Sequence, residues 1–332
     1  MAEGRIFSGM RPSGRLHLGN YFGALQNWVR LQNEGYECIY SVVDVHALTT
    51  LQGTDQVAEI KPNTHEMVLD WLAAGLDPER TTMFVQSHVP EVLMLSSLLS
   101  MTTPLGWLTR VPSFKERVRQ MGEDEENVSY GLVGYPVLQT ADVILYKAVG
   151  VPVGTDQVPH IELMHEIARR FNRFYGDTFP EPEVLLTETP MIVGTDGANK
   201  MSKSLDNHVE LAASDEVTSK KVKTMVTDPQ RVRRDDPGRP EVCNVYSLHK
   251  IFNPDELDEI YKGCTTAGIG CVDDKQALAD GINAYLREFR ERRRELAEKP
   301  DVVNEVLTTG AERASTIARA TIKEVYERMG LS

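Results

Sequence analysis

The chain has 332 residues, and its 36 Lys and Arg against 49 Asp and Glu give a formal net charge of −13. This length accommodates one large α/β domain and a smaller helical one. The acidic surplus excludes an evenly basic nucleic-acid surface, although a local basic patch can still bind RNA. Because the chain has no run of about 20 apolar residues for a membrane helix and no apolar signal-peptide core, we expect a cytoplasmic protein without a membrane partner.

Strand-like and helical segments alternate along the first 85 residues. Apolar runs typical of buried strands occupy residues 5–8, 38–43 and 82–85. Between them, apolar residues recur at helical spacing over 21–31 and 60–72. This alternation predicts an α/β fold, with a parallel sheet that carries helices on both faces.

The rest of the chain is less regular and then helical. Residues 112–131, which include the acidic run 123–126, have the composition of a surface segment or mobile loop. The α/β pattern resumes over 135–167, and strand signals fade after Leu205. We therefore expect a catalytic domain over residues 1–205 and a helical domain over residues 206–332.

The first motif with chemical content is PSGRLHLGN at residues 12–20, between the first strand and the first helix. Open α/β sheets bind ligands there, and a helix N-terminus offers free N–H groups to a phosphate. Gly14 and Gly19 let a nucleotide approach the backbone, and His17 can donate to a phosphoryl oxygen. Taken alone, the segment is equally consistent with a glycine-containing turn and an incidental histidine.

The second motif is KMSKS at residues 200–204, after a glycine-containing stretch at 194–197. Lysine carries a compact charge on a flexible stem, so Lys200 and Lys203 suit a mobile clamp on a polyphosphate. Positive charge where negative charge develops lowers the barrier to phosphoryl or nucleotidyl transfer. An exposed Lys/Ser loop is the common alternative, but the presence of the first motif favours a nucleotide site.

Together, HLGN and KMSKS resemble the two signature sequences of the class I aminoacyl-tRNA synthetases. The segments VPVGTDQ at 151–157 and HIEL at 160–163 are similar to the bacterial tryptophanyl-tRNA synthetases in particular. The similarity extends from Phe7 to the C-terminus. It implies a Rossmann-type parallel-sheet catalytic domain with both signatures, followed by an α-helical anticodon-binding domain.

The resemblance also implies how ATP is bound. Catalysis would rest on His17, Lys200 and Lys203. The ATP site would be lined by Arg11, Pro12, Ser13, Gly19, Asn20, Gly154, Thr155, Asp156, Ile192, Lys200, Met201, Ser202, Lys203 and Ser204.

The amino-acid site follows from the same resemblance. Asp142 would accept the indole N–H, although an acid near a helix end is the more common role for such a residue. An indole donates one hydrogen bond and is otherwise apolar, so a buried carboxylate discriminates against ligands that leave it unpaired. The indole pocket would be walled by Phe7, His46, Val151 and Val153. The ammonium or carboxylate group would be held by Tyr135, Gln139 and Gln157.

The implied reaction has two steps and needs no side-chain nucleophile. The carboxylate of L-tryptophan attacks the α-phosphate of Mg²⁺-bound ATP, and the resulting adenylate passes its acyl group to the 3′-terminal adenosine of the tRNA. Catalysis would consist of positioning and charge stabilisation. Two alternatives stay open. One is a tyrosyl-tRNA synthetase, because some of those enzymes share the pattern of Tyr135, Gln139 and Asp142. The other is a nucleotide-binding protein that no longer charges tRNA.

The cognate tRNA and a second subunit are the expected partners. The helical region 282–299 carries five arginines among acids, namely Arg287, Arg290, Arg292, Arg293 and Arg294. A charge run of this kind is usually a solvated helix face. The functional interpretation is contact of Arg290 and Arg294 with the tRNA. A homodimer is expected from the resemblance alone.

Three of the four cysteines, Cys243, Cys264 and Cys271, are close in sequence. A cytoplasmic disulfide would be unusual, which leaves a metal site or buried thiols. A few tryptophanyl-tRNA synthetases resemble this stretch closely and hold a four-iron cluster, with a fourth cysteine where this chain has Asp274. Four thiolates make a complete ligand set. Three interpretations stay open: a four-iron cluster completed by Asp274, a three-iron cluster on three thiolates, or a remnant with buried thiols.

Overall fold

The computed structural model describes residues 4–51, 53–121, 128–186 and 191–331. The chain forms two compact units, each assembled from separate stretches. The first unit comprises Met1–Gly14, Gln26–Glu188 and Lys299–Ser332, and the second comprises Arg15–Leu25 and Thr189–Glu298.

A parallel sheet organises the first unit. Its strands are β1 (Arg5–Met10), β2 (Glu37–Val42), β3 (Thr81–Val85), β4 (Gly150–Val153) and β5 (Glu183–Leu186). Their order is β3-β2-β1-β4-β5, and each pairing is parallel. The strand order reverses between β1 and β4, where open α/β sheets bind ligands at the carboxyl ends of the strands. The predicted α/β fold is confirmed.

Helices make up most of the remaining described structure. In the first half of the chain they are α1 (Leu18–Asn20), α2 (Gln26–Glu34), α3 (Asp44–Ala47), α4 (Thr54–Ala58), α5 (Ile60–Ala73), α6 (Glu91–Ser100), α7 (Leu105–Leu108), α8 (Pro112–Met121), α9 (Tyr130–Ile144) and α10 (Val158–Tyr175). Later come α11 (Asp215–Lys223), α12 (Asn244–Phe252), α13 (Leu257–Thr265), α14 (Cys271–Ala297) and α15 (Val302–Met329). Among the described residues, no helix is long and apolar enough to cross a membrane.

Neighbouring strand residues point to opposite faces of the sheet, and apolar side chains pack against both faces. Ile39 joins an apolar cluster with Phe7 and Phe84. The next residue, Tyr40, stacks on Trp28 with the ring centroids 4.3 Å apart, and Trp28 in turn meets the edge of Trp71. The near-continuous apolar sequence of β2 reflects this burial on both sides.

The C-terminal helix α15 packs in the first unit. Gly310 lies so close to β3 that a Cβ at this position would overlap the carbonyl of Met83. Lys147 Nζ also lies 2.6 Å from Glu324 Oε2. The compact units therefore differ from the predicted division at residue 205, because residues 299–332 pack with the sheet and residues 189–205 with the helical unit.

The segment predicted as a surface segment or loop at 112–131 is partly helical. Helix α8 covers Pro112–Met121, and Val111, Phe114 and Val118 are buried at helical spacing. The loop prediction is wrong here because three apolar residues at that spacing suffice to anchor a highly charged helix. The acidic run 123–126 lies outside the described residues.

The second unit is helical, as expected for the chain after Leu205. Its interior contains an aromatic cluster in which Phe252 meets Phe22 and Tyr285 edge to face, with ring centroids 5.8 and 5.3 Å apart. Phe22 belongs to a π-helical turn at Tyr21–Leu25 that follows α1. The cluster thus ties the segment after HLGN to α12 and α14.

Candidate active site

In the second unit, backbone hydrogen bonds join the HLGN segment to the chain that follows KMSKS. The N–H of Leu18 donates to the carbonyl of Val209 over 3.0 Å, and the N–H of Leu211 donates to the carbonyl of Leu16 over 2.9 Å. Val209 and Leu211 lie shortly after KMSKS. The pairing therefore fixes HLGN against the chain that leaves the lysine-rich loop.

His17 is held at the start of α1 by local contacts. Its backbone N–H donates to Asn20 Oδ1 over 3.1 Å. A Cβ on Gly19 would lie 3.0 Å from the His17 ring and 3.3 Å from Met201 Cβ. Glycine at this position therefore lets the imidazole and KMSKS approach each other closely.

The environment of His17 favours its neutral form. Burial lowers its pKa to about 3, with further contributions from His208, Lys203 and Lys200. Its Nδ1 is buried without a hydrogen-bond partner among the described residues. The ring of His208, which the sequence motifs do not single out, lies 5.8 Å from that of His17. A neutral His17 keeps one N–H that can donate to a phosphoryl oxygen.

A buried asparagine shapes the KMSKS loop. Asn207 accepts from the backbone N–H of Ser202 over 2.7 Å, and its Nδ2 donates to Asp196 Oδ2 and to the Lys200 carbonyl. Hydrogen bonds from Asn199, Ala198 and Asn207 keep the pKa of the Asp196 carboxyl well below its usual range.

Other predicted ATP-site residues lie around that loop. The N–H of Met201 donates to the Ile192 carbonyl over 3.0 Å, and the hydroxyls of Ser202 and Ser204 lie 2.9 Å apart. Lys200 is exposed and Lys203 half-buried. The loop therefore presents its cations from a backbone fixed by Asn207 and Ile192.

The remaining predicted ATP-site residues belong to the first unit. Residues 11–13 follow β1, where Gly14 adopts a φ of 93° that side chains rarely tolerate, and Arg11 Nη1 donates to Thr50 Oγ1 over 3.2 Å. Residues 154–156 follow β4, where a Cβ on Gly154 would lie 2.7 Å from Asp156 Oδ1. Both turns stand at carboxyl ends of strands.

The predicted indole acceptor is part of a buried network in the first unit. Tyr135, Gln139 and Asp142 lie on one face of α9. Asp142 Oδ2 lies 2.8 Å from His46 Nε2, and its Oδ1 accepts from Gln86 Nε2 over 2.7 Å. The structure thus brings His46 to Asp142, as the resemblance implies, and adds Gln86, which no sequence motif marks.

The other predicted amino-acid-site residues surround β1, β4 and α9. Phe7 stacks on Tyr146, with ring centroids 5.5 Å apart. Val151 and Val153 point to one face of β4. The Tyr135 hydroxyl lies 3.3 Å from His160 Nε2. Gln157 donates to the neighbouring Asp156 rather than to a residue of the network.

Arg290, predicted to contact tRNA, is engaged in hydrogen bonds within the second unit. Its guanidinium donates to the Leu211 carbonyl, Asp215, Asn283 and Thr218. Burial lowers its pKa, which the ion pair with Asp215 opposes. Arg290 therefore links α14 to α11 within the second unit. Arg294, one turn further along α14, is exposed.

In the cysteine region, Cys243, Cys271 and Asp274 lie within electrostatic range of Cys264, but no metal site is assembled among the described residues. The described residues contain no group of three or more His, Cys, Asp or Glu side chains arranged to hold a metal ion. Cys264 Sγ instead accepts from Arg231 Nη1 over 3.7 Å, and Asp274 Oδ1 faces His249 Nε2 at 3.3 Å. Burial raises the pKa of the Cys243 and Cys264 thiols, and the charge of Asp274 raises both further.

Comparison with known proteins decides the family. The model of the class I tRNA synthetases for tryptophan and tyrosine matches residues 2–287. The tryptophan–tRNA ligase of Thermotoga maritima is 46% identical over 98% of this chain and 99% of its own length. That of Aquifex aeolicus is 41% identical over 98% of this chain and 100% of its own length.

The chain belongs to the bacterial tryptophanyl-tRNA synthetases. A crystal structure of such a synthetase from Campylobacter jejuni, complexed with ADP and tryptophan, matches with a TM-score of 0.87 and 36% identity, covering 98% of this chain and 100% of that one. A tyrosyl-tRNA synthetase from Archaeoglobus fulgidus is only 22% identical and shows the fold alone. The chain is therefore an ATP-dependent tryptophan–tRNA ligase, and the tyrosine alternative is not supported.

Proposed function

We propose that this chain forms tryptophanyl-adenylate, that residues of the first unit recognise the indole, and that HLGN and KMSKS hold the phosphates of Mg²⁺-bound ATP. Neutral His17 donates its N–H to a phosphoryl oxygen, while Lys200 and Lys203 offset the charge of the departing pyrophosphate. The observation that supports the phosphate site is the backbone pairing of HLGN with Val209 and Leu211, shortly after KMSKS. As part of the same proposal, the reaction takes place in the cytoplasm, where ATP and tRNA meet.

Tryptophan-dependent ATP–pyrophosphate exchange tests the phosphate site. We expect Lys200→Ala and Lys203→Ala each to lower kcat roughly 100-fold, because a preorganised charge at the transferring group is lost. Lys220→Ala removes an exposed lysine of α11 in the same unit and should leave kcat unchanged. Exchange at the wild-type rate in both loop variants would refute the roles of these lysines.

The amino-acid site follows from the network at Asp142. Its carboxylate accepts the indole N–H, and a substrate without that donor leaves a buried charge incompletely paired. The apolar walls are Phe7, His46, Val151 and Val153. The ammonium and carboxylate groups of tryptophan are held by Tyr135, Gln139 and Gln157.

The proposal assigns the tRNA contact to the exposed arginines of α14 rather than to Arg290. The helical unit that contains α14 binds the anticodon. Arg294→Ala should weaken tRNA binding at physiological salt, because a phosphate contact is lost, and leave adenylate formation intact. Arg290→Ala serves as the contrast, since it should lower the melting temperature by breaking the link between α14 and α11. Unchanged tRNA affinity in Arg294→Ala would rule out this surface.

A homodimer is also part of the proposal. An apolar groove of about 400 Å³ on the first unit is lined by residues of α3, α6 and α9, among them the exposed Leu48, Leu93 and Tyr130. Exposed apolar patches of this kind mark interfaces. Light scattering should give twice the chain mass of 37.2 kDa, and Leu93→Asp should yield a monomer. A wild-type monomer at working concentration would refute the dimer.

The three cysteines are best explained as free thiols of the helical unit, with Cys243 and Cys264 buried and Cys271 half-buried. The contact of Cys264 with Arg231 engages a thiol that a cluster would need as a ligand, and Asp274 Oδ1 faces His249 Nε2 at 3.3 Å. The interpretation of a remnant therefore takes precedence over both cluster alternatives.

A further inference from the structure

A buried glutamine outside every predicted set of site residues contacts the carboxylate of Asp142. Gln86 is fully buried and begins the 3₁₀ turn Gln86–His88, directly after β3. It stands at the carboxyl edge of the sheet, where open α/β folds bind their ligands.

The orientation of the Gln86 amide is fixed by its neighbours. Its Oε1 accepts from the backbone N–H of Val45 at 3.1 Å and of His46 at 3.3 Å. Because two donors face this atom, the oxygen points toward α3 and the amide nitrogen toward Asp142. Nε2 then donates to Asp142 Oδ1 over 2.7 Å.

Asp142 is consequently held from two elements. Gln86 occupies Oδ1, and His46 Nε2 lies 2.8 Å from Oδ2. The carboxylate cannot rotate about its terminal bond without losing one of these contacts. A carboxylate oxygen can accept more than one hydrogen bond, so a lone pair stays available to a ligand N–H in a fixed direction.

We propose that Gln86 is a positioning residue that makes selectivity for tryptophan depend on the indole N–H. The inference rests on the proposed role of Asp142 and deepens it. A carboxylate already held in one plane needs no reorganisation when the indole binds. A ligand without the N–H meets a buried, fixed lone pair that it cannot satisfy.

A contact next to Gln86 supplies a matched control. The exposed Ser87 donates through its backbone N–H to Asp44 Oδ1 and through its hydroxyl to Asp44 Oδ2, over 3.0 and 2.6 Å. It links the same turn to the same helix as Gln86 does, without touching Asp142. Ser87→Ala therefore reports the loss of local structure alone.

The test compares L-tryptophan with an analogue in which sulfur replaces the indole N–H. Selectivity is the ratio of their kcat/KM values in adenylate formation. Gln86→Met should lower this ratio about tenfold or more, mainly through the KM for tryptophan, with the KM for ATP unchanged. Ser87→Ala should retain the wild-type ratio.

A second variant changes the donor while keeping the size of the side chain. Gln86→Glu places a carboxyl group against Asp142. Its selectivity should be low at about pH 8 and should recover at about pH 6, where a proton shared by the two carboxyl groups restores a donor. The selectivity of the wild-type enzyme, measured at both pH values, is the control for titration of the other ionisable groups near Gln86. These are His46, Asp44 and Tyr146.

The outcomes separate this inference from the proposed function. A Gln86→Met ratio equal to that of Ser87→Ala overturns the positioning role. If the wild-type enzyme uses tryptophan and the sulfur analogue with nearly equal kcat/KM values, the role of Asp142 is overturned instead. If Gln86→Met does not fold, Gln86→Glu decides, and a ratio with no more pH dependence than the wild type overturns the inference.

Discussion

Two buried histidine–aspartate pairs, one in each unit, differ in how their polar atoms are satisfied. His46 lies 2.8 Å from Asp142, whose other oxygen accepts from Gln86. His249 Nε2 and Asp274 Oδ1 lie 3.3 Å apart, yet neither has a hydrogen-bond partner among the described residues. Buried polar atoms are normally paired, because an unpaired one costs about 1–3 kcal/mol. The complete network belongs to the site proposed to recognise the indole, and the incomplete one lies beside the cysteines of the second unit.

The largest expected difference between the pairs lies in tryptophan activation. Asp142→Ala should raise the KM for tryptophan at least about tenfold, because a hydrogen bond to a charged group is worth about 1.5–3 kcal/mol. The KM for ATP should change little. Asp274→Ala, the matched change in the other pair, should leave both constants near wild type. Steady-state pyrophosphate exchange measures all four values, and a wild-type KM for tryptophan in Asp142→Ala would break the comparison.

Replacing Asp142 and Asp274 by asparagine, one at a time, should change the free energy of unfolding in opposite directions. In Asp142→Asn the new amide nitrogen, itself a donor, faces either Gln86 Nε2 or His46 Nε2. Two donors then face each other, which destabilises the fold. In Asp274→Asn the amide can donate to His249 Nε2, because His249 Nδ1 lies 3.1 Å from Asn253 Oδ1, an atom that can only accept. We expect changes of about 1 kcal/mol in the free energy of unfolding, measured by urea denaturation. Shifts of the same sign would contradict the comparison.

The sequence allows prediction of the motifs but not of the residues that support them. HLGN, KMSKS and the strand–helix alternation are local patterns, and the structure contains them where expected. Gln86 and Asn207 have no local signature, since a buried amide is recognised only by what folds around it. Arg290 and Arg294 are equivalent in a charge run, and only the packing of α14 on α11 separates a structural link from an exposed cation.

His17 is a further buried histidine, and its Nδ1 has no hydrogen-bond partner among the described residues. Burial lowers its pKa to about 3, from 6.5 in the unfolded chain. Between these values the unfolded state binds a proton that the folded state excludes, so the stability falls as the pH falls through this window. His17→Asn should reduce the slope of unfolding free energy against pH there. An unchanged slope in urea denaturation across the window would contradict the effect of burial.

The smallest expected effect is the iron content of the region around His249 and Asp274. Cluster ligands are thiolates, and this chain offers three cysteines with Asp274 in place of a fourth. Burial also raises the pKa of the Cys243 and Cys264 thiols, although the charge of Arg231 opposes this at Cys264. Protein purified anaerobically should therefore be colourless, with neither iron nor sulfide. Asp274→Cys provides the positive control, because a fourth thiol replaces the opposing charge. Reconstituted with iron and sulfide, this variant should absorb in the visible region while the wild type does not. Stoichiometric iron in wild-type protein would mean that His249 and Asp274 face an occupied site, and the contrast between the two pairs would fail.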